Sequence, residues 1–226
     1  MITPRIVAID GPAASGKSST GARVARTLGL AHIDSGALYR AVTWVALEAR
    51  LDDPEGIVAA ARARPITLEP VGQELRVHAG GRPIEAAIRG ADVTAHVSAV
   101  SAMPLVRNWV NDLLRGAAAT SGGAVVDGRD IGTVVFPAAP LKVFLTATPA
   151  ARAKRRLLQR GTDVDPGVLA REAMLLAERD RRDSSRAIAP LRPAADAVVL
   201  DTTALTIEAQ VAQILALARD RGLSPG

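Results

Sequence analysis

Residues 11 to 18 read Gly-Pro-Ala-Ala-Ser-Gly-Lys-Ser and follow directly on the apolar run Ile6-Val7-Ala8-Ile9. The spacing G-x-x-x-x-G-K-[ST] bends the backbone into a concave nest whose N–H groups face an anion, with a lysine and a hydroxyl at its far end. A buried strand before the loop and a helix after it aim the positive end of that helix at the same anion. This arrangement decides the fold, an open α/β sheet whose first strand delivers a phosphate-binding loop. Gly11, Pro12, Ala13, Ala14, Ser15, Gly16, Lys17, Ser18 and Ser19 are the expected ATP-binding set. Lys17 reaches the outer phosphates, and the Ser18 hydroxyl is a candidate ligand for magnesium. The loop implies a nucleoside triphosphate and says nothing of how its energy is used.

Outward from the loop, strands and helices alternate. A helix is expected from 18 to 28 with Gly29 as its stop, then a short strand at 31 to 33 and a helix from 37 to 50. Residues 66 to 84 change character: Ile66-Thr-Leu-Glu and Leu75-Arg-Val-His alternate at period two between Gly72-Gln73 and Gly80-Gly81, as a small antiparallel hairpin does. A surface ribbon and a mobile lobe closing over a second substrate fit this insertion equally well. Helical sequence from 91 to 119 is interrupted at Pro104. Apolar strands follow at 124 to 127, 141 to 146 and 197 to 200. An arginine-rich helix is expected at 149 to 161, a helix capped by Asp165 and Pro166 runs to about 182, and a last helix spans 207 to 221. Alternation of this kind gives a mostly parallel sheet covered on both faces, with ligands at the carboxyl ends of the strands.

The composition narrows the class. A chain of 226 residues with 48% hydrophobic residues is one ordinary domain with a small insertion. No apolar run is long enough to span a bilayer, and the N-terminal Met1-Ile2-Thr3-Pro4-Arg5 enters a strand at once, so a cytoplasmic protein without membrane attachment is expected. The absence of cysteine excludes disulfides and thiolate metal sites. Of 28 basic residues only Lys17, Lys142 and Lys154 are lysine, and arginine is the better bidentate partner for phosphate. Five scattered aromatics, not interleaved with a basic run, argue against a nucleic-acid partner.

Four polar clusters fall after the expected strands or at helix ends: Asp34-Ser35-Gly36 with Tyr39 and Arg40; Ser98 with Arg107; Asp127-Gly128-Arg129-Asp130; and Arg179 to Arg186. Singly, each is explained as a cap, a helix pair, a turn or a solvated charge run. Beside a triphosphate loop, they describe a second, anionic substrate held by several arginines.

With I-D-G-P-A-A-S-G-K-S at the start, D-S-G-A-L-Y-R at 34 to 40, V-S-A-V-S-A-M-P-L-V-R at 97 to 107, D-G-R-D-I-G-T-V-V-F-P at 127 to 137 and E-R-D-R-R-D-S-S-R-A-I-A-P-L at 178 to 191, nearly the whole chain resembles the bacterial cytidylate kinases. That family moves a phosphoryl group from ATP to CMP or dCMP. The resemblance implies a magnesium-dependent monomeric phosphotransferase with a core at 1–64, 91–148 and 162–226, a monophosphate-binding insertion at about 65–90 and a short helical lid at about 149–161. It implies that Arg40, Arg129 and Arg186 grip the CMP phosphate. Ser98, Arg107 and Asp130 read the cytosine edge, Arg179 and Asp183 hold the ribose, and Ser35 is a further contact. Lys17 stabilises the developing charge with Arg129 and Arg186, and lid arginines such as Arg152 and Arg156 complete the site. Asp127 holds magnesium with Ser18 or orients Arg129; the loop's ending Lys-Ser-Ser-Thr replaces the Lys-Gly-Thr of some relatives. The rival readings are a kinase for another small acceptor such as UMP or AMP, a nucleic-acid-binding ATPase, and a regulatory GTP switch, which the absence of an N-K-x-D motif disfavours.

Overall fold

The computed structural model describes residues 5–224; the first four and the last two residues of the expected core lie outside it. Parallel strands β1 (Arg5–Asp10), β2 (Ala31–Asp34), β6 (Gly123–Gly128), β7 (Leu141–Thr146) and β8 (Val198–Asp201) form the centre of an eight-stranded sheet. The hairpin of β3 (Ile66–Val71) and β4 (Glu74–Ala79), with the short β5 (Arg82–Pro83) on β4, is antiparallel as its alternation predicts. It does not stand apart as a ribbon. β4 pairs parallel with β2 through His32 opposite Glu74 and Ile33 opposite Leu75, so the order β3-β4-β2-β6-β1-β7-β8 is continuous.

β1 shows why both faces must be covered. Its alternate side chains enter two different cores: Ile6 and Ala8 pack with α2 (Ser35–Ala49), α3 (Pro54–Ala63) and α5 (Pro104–Thr120), whereas Val7 and Ile9 pack against α1 (Lys17–Leu28) and α8 (Ile207–Asp220). An apolar run buried on both sides is what a central parallel strand requires. The remaining helices are α4 (Ala91–Val100), α6 (Pro149–Gln159) and α7 (Pro166–Ser184). Pro104 separates α4 from α5 and serves as the first residue of the latter, where its missing N–H is no loss.

Two helix starts differ from the sequence reading. α2 begins at Ser35, two residues before the expected 37, because the Asp34 side chain accepts from the Ala37 N–H and caps it. The α3 helix, capped by Asp53 with Pro54 in its first turn, was not anticipated.

The carboxyl ends of β1, β2 and β6 align, with Asp10 opposite Gly128 and Asp34 opposite Asp127. This register brings the phosphate loop, the start of α2 and the Asp127–Asp130 segment to one edge. After β6 the chain winds into a π-type turn over Ile131–Val135, where the Val135 and Phe136 N–H groups donate five residues back to Asp130 and Ile131. The Asp10 carboxylate, only 4% exposed, accepts the Ile131 and Gly132 N–H groups at 2.8 Å each and so fastens this turn to the end of β1.

Candidate active site

A cavity of about 700 Å³ opens along this edge. On one wall lies the phosphate loop. Gly11 has φ 149°, and a Cβ there would stand 2.1 Å from the Leu145 carbonyl oxygen, so only glycine lets the loop leave β1 beside β7. Lys17 curls back, its Nζ donating to the Pro12 carbonyl at 2.7 Å; burial, reinforced by Arg129, pulls its pKa down to about 7. Ala13, Ala14, Gly16, Lys17, Ser18 and Ser19 face the cavity. Gly11, Pro12 and Ser15 lie behind it; Ser15 is buried, and its carbonyl accepts from the Thr202 hydroxyl after β8.

Asp127 ends β6 on the cavity floor, 2% exposed. One carboxylate oxygen accepts the Ser18 hydroxyl at 2.8 Å and the other meets His32 Nε2 at 2.8 Å. Burial, the largest single influence on the ring, works to lower the His32 pKa, but the hydrogen bond its Nε2 makes to the Asp127 carboxylate and the nearby negative charges leave it raised. His32 also fills the space beside α1: a Cβ on Gly21 would lie 3.0 Å from its Nε2. The Ser35 hydroxyl donates to the Asp127 carbonyl at 2.7 Å, which joins α2 to the same strand end.

The opposite wall is arginine-rich. Asp183, 2% exposed in the last turn of α7, accepts from Arg186 at 2.7 Å and from Arg129 Nε at 3.3 Å, and lies 3.5 Å from the Ser98 hydroxyl. Arg186 also donates to the Ser98 carbonyl and the Ser101 hydroxyl. Arg107 and Asp130 form an ion pair in which both side chains are buried; Arg107 donates to the Ser101 carbonyl at 3.0 Å and lies 5.5 Å above the Tyr39 ring. Burial holds the Asp130 carboxyl above the ordinary aspartate range, with Arg107 opposing.

Arg40 reaches across from α2 to Thr94 Oγ1 at 2.9 Å and the Ile88 carbonyl at 3.4 Å. Arg179 is pulled down to about 10 by burial and by Arg129, and its buried Nε has no hydrogen-bond partner. Beyond the effect of burial, the nearby charges of Arg129 and Arg156 disfavour the charged forms of Arg40 and Arg179, as expected where cations are gathered for an anion. Arg186 shares Asp183 with Arg129, whose charge also acts on it, and reaches further to Ser98, Ser101 and the neighbourhood of the Arg107–Asp130 pair.

On α6, Arg156 faces the cavity and pairs with Glu172 of α7 at 3.2 Å, and Arg160 pairs with the same carboxylate at 3.4 Å. Arg152, one turn earlier, is turned away from the cavity, 4% exposed. Arg160 belongs to the arginine-rich segment expected as a lid, whereas His32, Ser101, Thr94, Arg89 and Glu172 are not singled out by the sequence. Ser101 lies within the motif stretch at 97 to 107, His32 adjoins the Asp34 cluster and Arg89 follows the hairpin, whereas Thr94 and Glu172 stand apart from every motif.

Ser18 and Asp127 present adjacent oxygen donors to the cavity, the donor chemistry magnesium prefers. No cluster of three or more His, Cys, Asp or Glu side chains able to hold a metal occurs among the described residues, so phosphate oxygens and water would complete the shell. That is how magnesium is usually held beside a nucleotide.

The loop on β1, the acidic end of β6 and the helices on both faces define a phosphate-loop α/β protein with a mostly parallel sheet. The model of the cytidylate kinase family matches residues 7–220, and the chain belongs to that family. It is 45% identical over 216 residues to a cytidylate kinase of Nocardia farcinica, covering 91% of this chain and 90% of that one. It is 47% identical over 228 residues to a bifunctional pantoate ligase/cytidylate kinase of Synechococcus elongatus; the alignment covers 96% of this chain and 42% of that protein. The chain therefore spans less than half the length of such bifunctional relatives. An uncharacterized protein of Eubacterium ventriosum, 10% identical, superposes with a TM-score of 0.52 over 96% of this chain and 99% of its own, a likeness of fold alone.

Proposed function

We propose that the protein transfers the γ-phosphoryl group of ATP to CMP or dCMP, forming ADP and CDP or dCDP. The observation that carries this reading is one cavity with a phosphate loop on one wall and, on the other, a cation cluster beside the buried Arg107–Asp130 pair. Membership of the family and the names of its relatives support it.

Phosphoryl transfer asks for positioning and for charge stabilisation on the equatorial oxygens of the moving group. Lys17, released from the Pro12 carbonyl, would stabilise that charge. Ser18 and Asp127 would hold magnesium, whose chemistry when bound is to neutralise the outer phosphates. Arg40 and Arg129 would aim the CMP phosphate, and Arg179, whose Nε makes no hydrogen bond and stands 4.0 Å from Asp183, is placed to join them. Arg186, which shares Asp183 with Arg129, would join them on the CMP phosphate as the resemblance implies, its bonds to Ser98 and Ser101 placing it where phosphate and sugar meet. Ser98, Arg107 and Asp130 would read the cytosine edge, Asp183 the ribose, and Ser35 would be a further contact in the CMP pocket.

The hairpin region at about 65–90 would act as the monophosphate lobe, since Glu74, Arg76 and Arg89 line the cavity. Within the segment 149–161 the lid movement would belong to the end beyond the first turn of α6, with Arg156 and Arg160 leaving Glu172 for the phosphates while Arg152 stays in place. A monomer acting in the cytoplasm, without a nucleic-acid partner, completes the reading. ADP release measured with ATP and each nucleoside monophosphate in turn tests the activity; turnover of AMP or UMP at the rate of CMP overturns it.

A further inference from the structure

Resting on the reading of the loop as the ATP site, we infer that Arg152 and Asp180 form a clamp that positions the crest of that loop, and that Arg152 acts through the loop backbone and not by touching phosphate. Ala13 is the residue they hold. Its carbonyl accepts from the Arg152 guanidinium at 3.2 Å, and its N–H donates to Asp180 Oδ1 at 3.3 Å. The other Asp180 oxygen pairs with Arg152 at 2.5 Å. Both hydrogen-bonding groups of one loop residue are thus taken by an ion pair assembled from α6 and α7.

Three further features fit a clamp. The Arg152 Nε donates to the Ala147 carbonyl at 2.9 Å, which fixes the guanidinium to the end of β7 and leaves it no freedom to swing toward a ligand. Ala13 packs in a small apolar cluster with Ala153 of α6 and Leu176 of α7, so the same two helices hold the residue by its side chain. The next residue, Ala14, has φ 59°, a left-handed conformation that a non-glycine residue adopts only when its surroundings impose it. Ala14 faces the cavity. Releasing Ala13 would let this backbone relax and turn the N–H groups of the nest away from the anion.

Asp180 also sits between Arg179 and Asp183 on α7, so the helix that walls the acceptor pocket holds the donor loop as well. The clamp makes the two halves of the site share one rigid support.

The test is a double-mutant cycle on the whole chain with Arg152→Met, Asp180→Asn and the pair together, read by direct equilibrium binding of ATP, which needs no acceptor. Each single substitution should weaken ATP binding about tenfold or more, as expected for loss of a charge-assisted bond. The double substitution should weaken it little further. Arg152→Lys, which keeps a charge and one donor, should fall between wild type and Arg152→Met and guards against a misfolded variant. Wild-type ATP affinity in Asp180→Asn with a large loss in Arg152→Met would overturn the clamp in favour of direct phosphate contact. A lowered melting temperature with unchanged ATP affinity of the folded protein in all variants would reduce the pair to a structural role and also overturn it. Failure of the activity reading would appear separately, as absence of CMP turnover in wild type.

Discussion

Arg129 Nε donates to Asp183 Oδ2 across 3.3 Å, which ties the arginine delivered by the end of β6 to the acid in the last turn of α7. Asp183 is nearly inaccessible and shares its other oxygen with Arg186. Asp183→Ala would leave two arginines without their carboxylate. Removing one partner of a buried pair costs about 3 to 5 kcal/mol. We expect a marked fall in melting temperature and a loss of about a hundredfold or more in kcat/KM for CMP, with ATP affinity near wild type. Arg40→Ala should show the same split without the stability loss. Loss of ATP affinity with CMP affinity unchanged would reverse the assignment of the two walls.

The Arg107–Asp130 pair predicts discrimination at the base. Cytosine presents an amino group that an acceptor can meet, whereas the O4 of uracil would face the carboxylate and leave a buried group unpaired. Sites of this kind discriminate by up to ~10⁴. CMP should exceed UMP by at least about a hundredfold in kcat/KM, and Asp130→Asn should narrow the gap mainly by lowering CMP turnover. Equal kcat/KM for CMP and UMP in wild type would remove the base-reading role.

Asp127 and Ser18 predict the metal dependence. In Asp127→Asn, the magnesium concentration giving half-maximal rate should rise about tenfold or more, while Ser18→Ala should raise it less, because one neutral ligand is replaceable by water. A magnesium titration of the rate measures both. Unchanged titrations would place the metal elsewhere.

Asp10 carries a pH signature. Burial raises its pKa from 3.8 to about 6, against the two N–H bonds from Gly132 and Ile131. Between these values the folded chain holds a proton that the unfolded chain has released, so the stability contributed by this group falls as pH rises from about 4 to 6. The whole window is worth about 3 kcal/mol at 1.36 kcal/mol per unit. In Asp10→Asn that slope is absent, so the variant should gain on wild type as pH rises through the window. Parallel melting curves across pH 4 to 7 would contradict this account.

Much of the architecture could be read from local pattern, and the exceptions have physical causes. The strand 141–146 was read with its full bounds because an apolar run set off by prolines carries its own limits. α3 carries little periodic signal although Asp53-Pro54 repeats the signature of Asp165-Pro166; its ten residues are too short, among charged neighbours, to set a clear pattern. The pairing of β4 with β2 was invisible because register between segments 42 residues apart leaves no trace in either. The site shows the same division. Residue types and their clusters were legible, but Arg152 and Arg156 lie one turn apart in the same arginine-rich run, and only the packing of α7 decides which is buried and which faces the cavity. His32 carries no local signal because its partner, Asp127, is 95 residues away.

The pairing of β4 with β2 bears on self-association. Without it, β2 would end the parallel sheet as an exposed edge, offering open N–H and C=O groups to any extended chain, including another copy of this protein. His32 donates its N–H to the Gln73 carbonyl at 2.8 Å, which closes part of that edge, and the hairpin carries the remaining rim outward to β3, whose solvent-facing Glu69 and Pro70 make a poor template. Shortening residues 65–90 to a bare link would remove a wall of the cavity and also create an aggregation-prone seam beside the middle of the molecule.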